Sequence, residues 1–215
     1  SSSKASDESS TALGTGAIAS DLSSIAIGAS SNASGKNSLA IGYEATASGY
    51  GSKASGFRAT ASGDLSTASG YLASASGFQS IASGHFSRAS GSDSQASGVG
   101  ATASGYVSLA IGQLASASKL FSQAYGAFSS AGANYSQASG YSSKASGEYS
   151  QASGTNTNAA GNSSIATGRN ATAEGDFAIA TGSFANASGN YSQASGVGAT
   201  ASGTDALARG FGSKA

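Results

Sequence analysis

The chain has 215 residues, ten basic and ten acidic side chains, a net charge of zero, and no Cys, Met, Trp or Pro. A neutral chain offers no basic footprint for nucleic acid, and no run of about 18 apolar residues is present to span a membrane. A disulfide framework is excluded, and most of the 39% hydrophobic content is alanine, too small a side chain to fill an ordinary globular core.

Order appears instead as a period. Every seventh residue from Ala5 to Ala215 is alanine, and two residues later, from Gly14 to Gly210, glycine fills 26 of 29 positions. The exceptions are Asp21, Lys119 and Ala133. A flexible linker has no reason to hold such a phase. A coiled coil needs large apolar residues at two seam positions and loses about 1 kcal/mol for each glycine. Collagen needs glycine at every third residue. A stacked β-structure remains, as fixed short periods signify solenoids.

Two residues before each alanine stands Ser or Ala, with Thr157 the one larger member. Small residues therefore alternate with variable ones across five positions, and in a strand such a set shares one face. Each heptad is expected to be a five-residue strand plus a two-residue corner. Two heptads back to back make a coil of 14 residues with the small faces inside. The breaks in the glycine column are expected to mark bulges.

Taken along the chain, alternate alanines differ in what precedes them. One set is preceded by Ile25, Leu39, Lys53, Thr67, Ile81, Gln95, Leu109, Gln123, Gln137, Gln151, Ile165, Ile179, Gln193 and Leu207. The other set, after Ile18, is preceded by polar residues such as Asn32, Thr46, Thr60 and Arg88. One outward face is thus expected to be shielded and the other wet. With so thin a core, burial of the aliphatic residues between chains is the obvious supplement, so an obligate oligomer is expected. Ile25, Ile27, Leu39, Ile41, Ile81, Leu109, Ile111, Gln123, Gln137, Gln151, Ile165, Ile179 and Leu207 are the candidate interface residues. Gln123, Gln137 and Gln151 are one coil apart and are expected to form a hydrogen-bonded ladder.

The segments Ser24-Ile25-Ala26-Ile27-Gly28, Ser38-Leu39-Ala40-Ile41-Gly42 and Ser108-Leu109-Ala110-Ile111-Gly112 resemble the strand motif of YadA-like heads. These are the head domains of trimeric autotransporter adhesins of Gram-negative bacteria. Weaker versions stand at 80–84 and 164–168. The resemblance implies a left-handed parallel β-roll, association as a homotrimer, and display on the bacterial cell surface outside the outer membrane. It also implies attachment to extracellular-matrix proteins such as collagen, fibronectin or laminin, or to a cell-surface receptor. The chain departs from the motif where Ser replaces the second aliphatic residue and Gln the first, which makes the shielded face unusually polar.

Sixteen of the seventeen Tyr and Phe residues fall at corners, and Tyr125 is the exception. Tyr43, Tyr50, Tyr71, Tyr106, Tyr135, Tyr141, Tyr149 and Tyr191 are the candidate ligand contacts. The competing reading is that corners are the places where a ring fits, and that rings there stack on one another. The stretch from Gln113 to Gln137 is the irregular one and a candidate bend. His85 is the only histidine and has no cluster of acids around it, so neither a metal site nor a Ser–His–acid triad is expected. The glycines follow the strand period and form no phosphate loop. No enzymatic activity and no cofactor are expected.

The expectation is therefore an all-β, single-stranded parallel β-roll of about fifteen coils over residues 1–215, associated as a homotrimer. It is read as one head domain, without neck, stalk or membrane anchor, mature or excised from any leader, and without direct membrane contact. Its function is read as an adhesin head. A purely structural fibre segment, such as a phage tail-fibre shaft, is the first rival. An ice-binding solenoid is the second, and its Thr row is interrupted at Ser74, Arg88 and Lys144.

Overall fold

The computed structural model describes residues 2–215. The chain divides into two compact units, Ser1–Val107 and Ser108–Ala215. In the first, the strands run from Lys4–Ala5 and Thr11–Leu13 to Gln95–Ser97 and Thr102–Ala103. In the second they run from Leu109–Ile111 and Ser116–Ala117 to Thr200–Ala201 and Leu207–Arg209. Both units alternate a three-residue strand with a two-residue strand, and every pairing is parallel with a partner 14 residues away. Thus Ile25, Ala26 and Ile27 face Leu39, Ala40 and Ile41, while Asn32 and Ala33 face Thr46 and Ala47. In each unit the three-residue strands build one sheet and the two-residue strands the other. The two units together hold about fifteen coils, an all-β parallel solenoid.

The core matches the alanine period. Ala26, Ala33, Ala40 and Ala47 are fully buried, as are Ser24, Ser31 and Ser52 in the column two residues before the alanines. The interior is thin enough for a serine to reach across it. Ser66, leading into a three-residue strand, donates its hydroxyl to the carbonyl of Ala75 in the opposite sheet at 3.3 Å.

The expected five-residue strands are not formed; two or three residues pair regularly and the rest belongs to the corner. The physical reason is a β-turn that recruits the glycine itself. The N–H of the serine five residues after the alanine bonds to the carbonyl of the glycine position, as from Ser38 to Gly35 at 3.1 Å. The second corner residue, third in this turn, always has positive φ, from 49° at Val107 to 69° at Gly16. Such a conformation costs about 1–2 kcal/mol for an L-residue. It is held by the neighbouring coil: the N–H of Phe86 bonds to the carbonyl of Tyr71 at 2.9 Å, and that of Tyr149 to Asn134 at 3.0 Å. Backbone groups that a lone turn would leave to water are thereby paired.

The expected bulges are also absent. Around the stretch 113–137 the register runs unbroken, with Ile111 facing Tyr125, Gln123 facing Gln137 and Ser116 facing Ser130. Where glycine is missing, a hydrogen bond changes partner instead. At Gly35 the backbone N–H is shared with the carbonyl of Ala47 in the next coil at 3.3 Å. At Asp21, Lys119 and Ala133 it bonds to the hydroxyl of the serine three residues on, at 3.1–3.2 Å.

Candidate interaction surface

In each unit the outward residues of the three-residue strands form one face, flanked by two corner edges. In the first unit this face carries Ile25, Ile27, Leu39 and Ile41 in successive coils, with Ile25 36% and Ile41 37% exposed. Ile81 stands in register between Thr67 and Gln95. In the second unit Leu109 and Ile111 face Gln123 and Tyr125. Farther on, Ile165 faces Ile179, and Leu207 faces Gln193. The thirteen candidate interface residues thus share this one type of face in each unit. Tyr125 belongs with them, half-buried in the position that Ile111 holds one coil earlier. Its place beside the fixed alanine, outside the corners, was the sequence signal for that location.

The glutamine ladder forms in part. Gln137 Nε2 donates to Gln123 Oε1 at 3.2 Å. Gln151 stands in register with Gln137 but makes no second rung. Beside these amides lies an open groove of about 380 Å³, lined by Phe121, Gln123, Tyr135, Ser136, Gln137 and Gln151.

The edges carry rings in face-to-face stacks. After the three-residue strands, Tyr43, Phe57, Tyr71 and His85 stack in sequence, with centroids 5.2, 5.0 and 4.7 Å apart. Phe86 meets His85 edge-on. After the two-residue strands, Phe121, Tyr135 and Tyr149 stack at 5.3 and 4.9 Å, and Phe177 and Tyr191 at 5.1 Å. Tyr141 packs edge-on against Phe128. Tyr50 and Tyr106 are about half exposed, and the backbone N–H of Tyr50 bonds to Asp64 Oδ1 at 2.8 Å. The tyrosine candidates therefore divide between two edges, and Phe57, Phe121, Phe177 and His85 complete the stacks they begin.

Charge on this surface is sparse. Arg58 pairs with Glu44 one coil earlier and lies 5.5 Å over the ring of Phe57. The guanidinium, and then the Tyr43 hydroxyl, hold Glu44 below the usual carboxylate range. Glu44 in turn raises Tyr43 and Arg58 above their ordinary values. A second ladder was not anticipated. The backbone N–H groups of Glu148, Asn162 and Asp176 donate to the side-chain oxygens of Asn162, Asp176 and Asn190, at 3.1, 2.8 and 3.0 Å. Its signal is the recurrence of Asn and Asp at the first corner position every 14 residues.

A family model for the YadA head domain repeat matches in overlapping copies across residues 1–94 and 131–192, well over half the chain. No curated protein matches the chain.

Proposed function

We propose, from the premise that the chain belongs to the YadA head family, that it is the head of a bacterial surface adhesin, attaching multivalently to host extracellular matrix or cells. The family is one of adhesins and not of enzymes. In this reading residues 1–215 act as one head, three chains associate through the face that carries Ile25, Leu39, Leu109 and Ile165, and the head stands exposed outside the outer membrane. Similar coils then present similar weak contacts, and their sum gives avidity without any single strong site.

The observation that carries the reading is the exposed aliphatic face on the three-residue strands, with Ile25, Ile41, Ile111 and Ile179 each 36–38% exposed in the isolated chain. A periodic apolar stripe of this kind calls for a partner surface. The purified protein is expected to have a solution mass of three chains and to bind collagen, fibronectin or laminin in a plate assay. A monomeric mass with intact β-structure would overturn the trimer, and absence of binding both to matrix proteins and to host cells would overturn the adhesive role.

One observation favours a structural fibre or spacer as the second reading. The best-aligned rings, Phe57–Tyr71, Tyr135–Tyr149 and Phe177–Tyr191, are parallel within 7° and cover each other's faces. If the stacks serve stability alone, Tyr135→Ser will lower the unfolding midpoint and leave matrix binding unchanged.

A further inference from the structure

Six asparagines are followed at the second position by Ser or Thr: Asn32, Asn134, Asn162, Asn170, Asn186 and Asn190. This is the acceptor pattern for an N-linked sugar. The fold separates the six. Asn32, Asn134, Asn170 and Asn186 are half-buried, and Asn186 Oδ1 is enclosed without a partner. Asn162 and Asn190 are exposed, two coils apart on the same corner column.

At these two positions the side-chain amide has a divided role. Its oxygen accepts the N–H of the preceding coil, from Glu148 to Asn162 and from Asp176 to Asn190. Its nitrogen, the atom that would carry a sugar, makes no hydrogen bond among the described residues. Asp176 holds the rung between them through a carboxylate oxygen alone. The ladder therefore needs an oxygen at each step and leaves the nitrogen to solvent.

We propose that Asn162 and Asn190 are acceptor sites for N-linked sugars, displayed on the corner edge beside Phe177 and Tyr191. The donor class is a nucleotide-activated hexose. A bond forms between Asn Nδ2 and the anomeric carbon, the bond from that carbon to the nucleotide diphosphate breaks, and Nδ2 loses one proton. The hydroxyls that complete the pattern, on Ser164 and Ser192, are fully buried in the fold. Transfer thus takes place before the coils close. Folding then tolerates a sugar at the exposed corners, because the rung is kept, and rejects one at the enclosed amide of Asn186.

Peptide mass mapping of the protein purified from the cells that make it is expected to find hexose on Asn162 and Asn190, and none on Asn32 or Asn186. Both corner sites unmodified, or the half-buried sites modified equally in folded protein, would overturn the proposal. Two variants keep the fold while removing the site. Asn162→Asp retains the rung oxygen, as Asp176 does. Ser164→Ala removes a hydroxyl that has no partner, in a column where Ala178 and Ala206 already stand. Each is expected to lose the sugar at residue 162, keep that at 190, and unfold at an unchanged midpoint relative to unglycosylated protein. Persistence of the sugar at 162 in Ser164→Ala would sink the idea. The mass readout is independent of matrix binding, so its failure is distinct from failure of the adhesin reading.

Discussion

After each three-residue strand the glycine has φ between +106° and +133°, whereas after each two-residue strand no glycine in the corresponding position is left-handed. At Gly28 a Cβ would lie 2.5 Å from the carbonyl oxygen of Gly42; at Gly35 it would lie 2.2 Å from that of Gly49. A Cβ is crowded in both columns, more closely in the second, so it is backbone conformation that sets the first column apart. An L-residue in the first column faces both a forbidden φ and a clash. In the second it faces only the clash, and where a side chain does stand there the N–H is handed to a serine hydroxyl. Asp21, Lys119 and Ala133 all occur in the second column for this reason.

The largest effect expected from this contrast is at Gly168, where φ is +124° and a Cβ would meet the oxygen of Gly182 at 2.6 Å. Gly168→Ala should destabilise by about 3–5 kcal/mol, combining a glycine-only backbone with a backbone clash. Denaturant unfolding checks it, and a loss under about 1 kcal/mol would break the comparison.

Gly161→Ala, in the other column, should cost about 1–2 kcal/mol, since Ser164 is placed to accept the released N–H as Ser136 does at Ala133. Adding Ser164→Ala to that variant should cost about 1 kcal/mol more, though Ser164→Ala alone is neutral. A double-mutant cycle with equal effects in both backgrounds would remove the capping explanation. In the unaltered chain, Ser136→Ala should likewise be felt while Ser150→Ala, whose hydroxyl has no partner, should not.

Smaller still is replacement of Gln123, Gln137 and Gln151 by alanine. With one exposed rung between them, the isolated chain should lose no more than about 1 kcal/mol. A larger loss confined to the assembled protein would locate these amides in an interface between chains.

The smallest effect concerns pH. Glu44 is held below its ordinary value by Arg58, so its contribution is present above the ordinary carboxylate range and fades as pH falls through the depressed value. Being exposed, the pair is expected to shift the acid unfolding profile only slightly, and Glu44→Gln should remove that shift.

Much of the site could be read before any coordinates. The outward position of Ile25, Leu39 and Leu109 on their strands follows from alternation alone, because residues on either side of a buried alanine must point outward. Placement of the rings at corners followed from size, since the interior admits nothing larger than Thr157. Which rings touch was not legible. Tyr43 stacks through Phe57 to Tyr71, while Tyr50 joins no such stack, since face-to-face stacking depends on rings in successive coils at the same corner position. The Asn162–Asp176–Asn190 ladder was missed because the period was read for side-chain size and not for hydrogen-bond acceptors.

The seven-residue alanine–glycine period by itself determined the coil, its parallel register and the thin interior, because only one stacking keeps the alanine column inside, as it is from Ala19 to Ala208. The tertiary structure alone decided the rest. It made strands of two and three residues where five were expected, because the turn claims the glycine carbonyl. It also showed why the two glycine columns are different devices, since φ is set by how each corner closes onto the next coil, and the sequence marks this only by placing Asp21, Lys119 and Ala133 in one column.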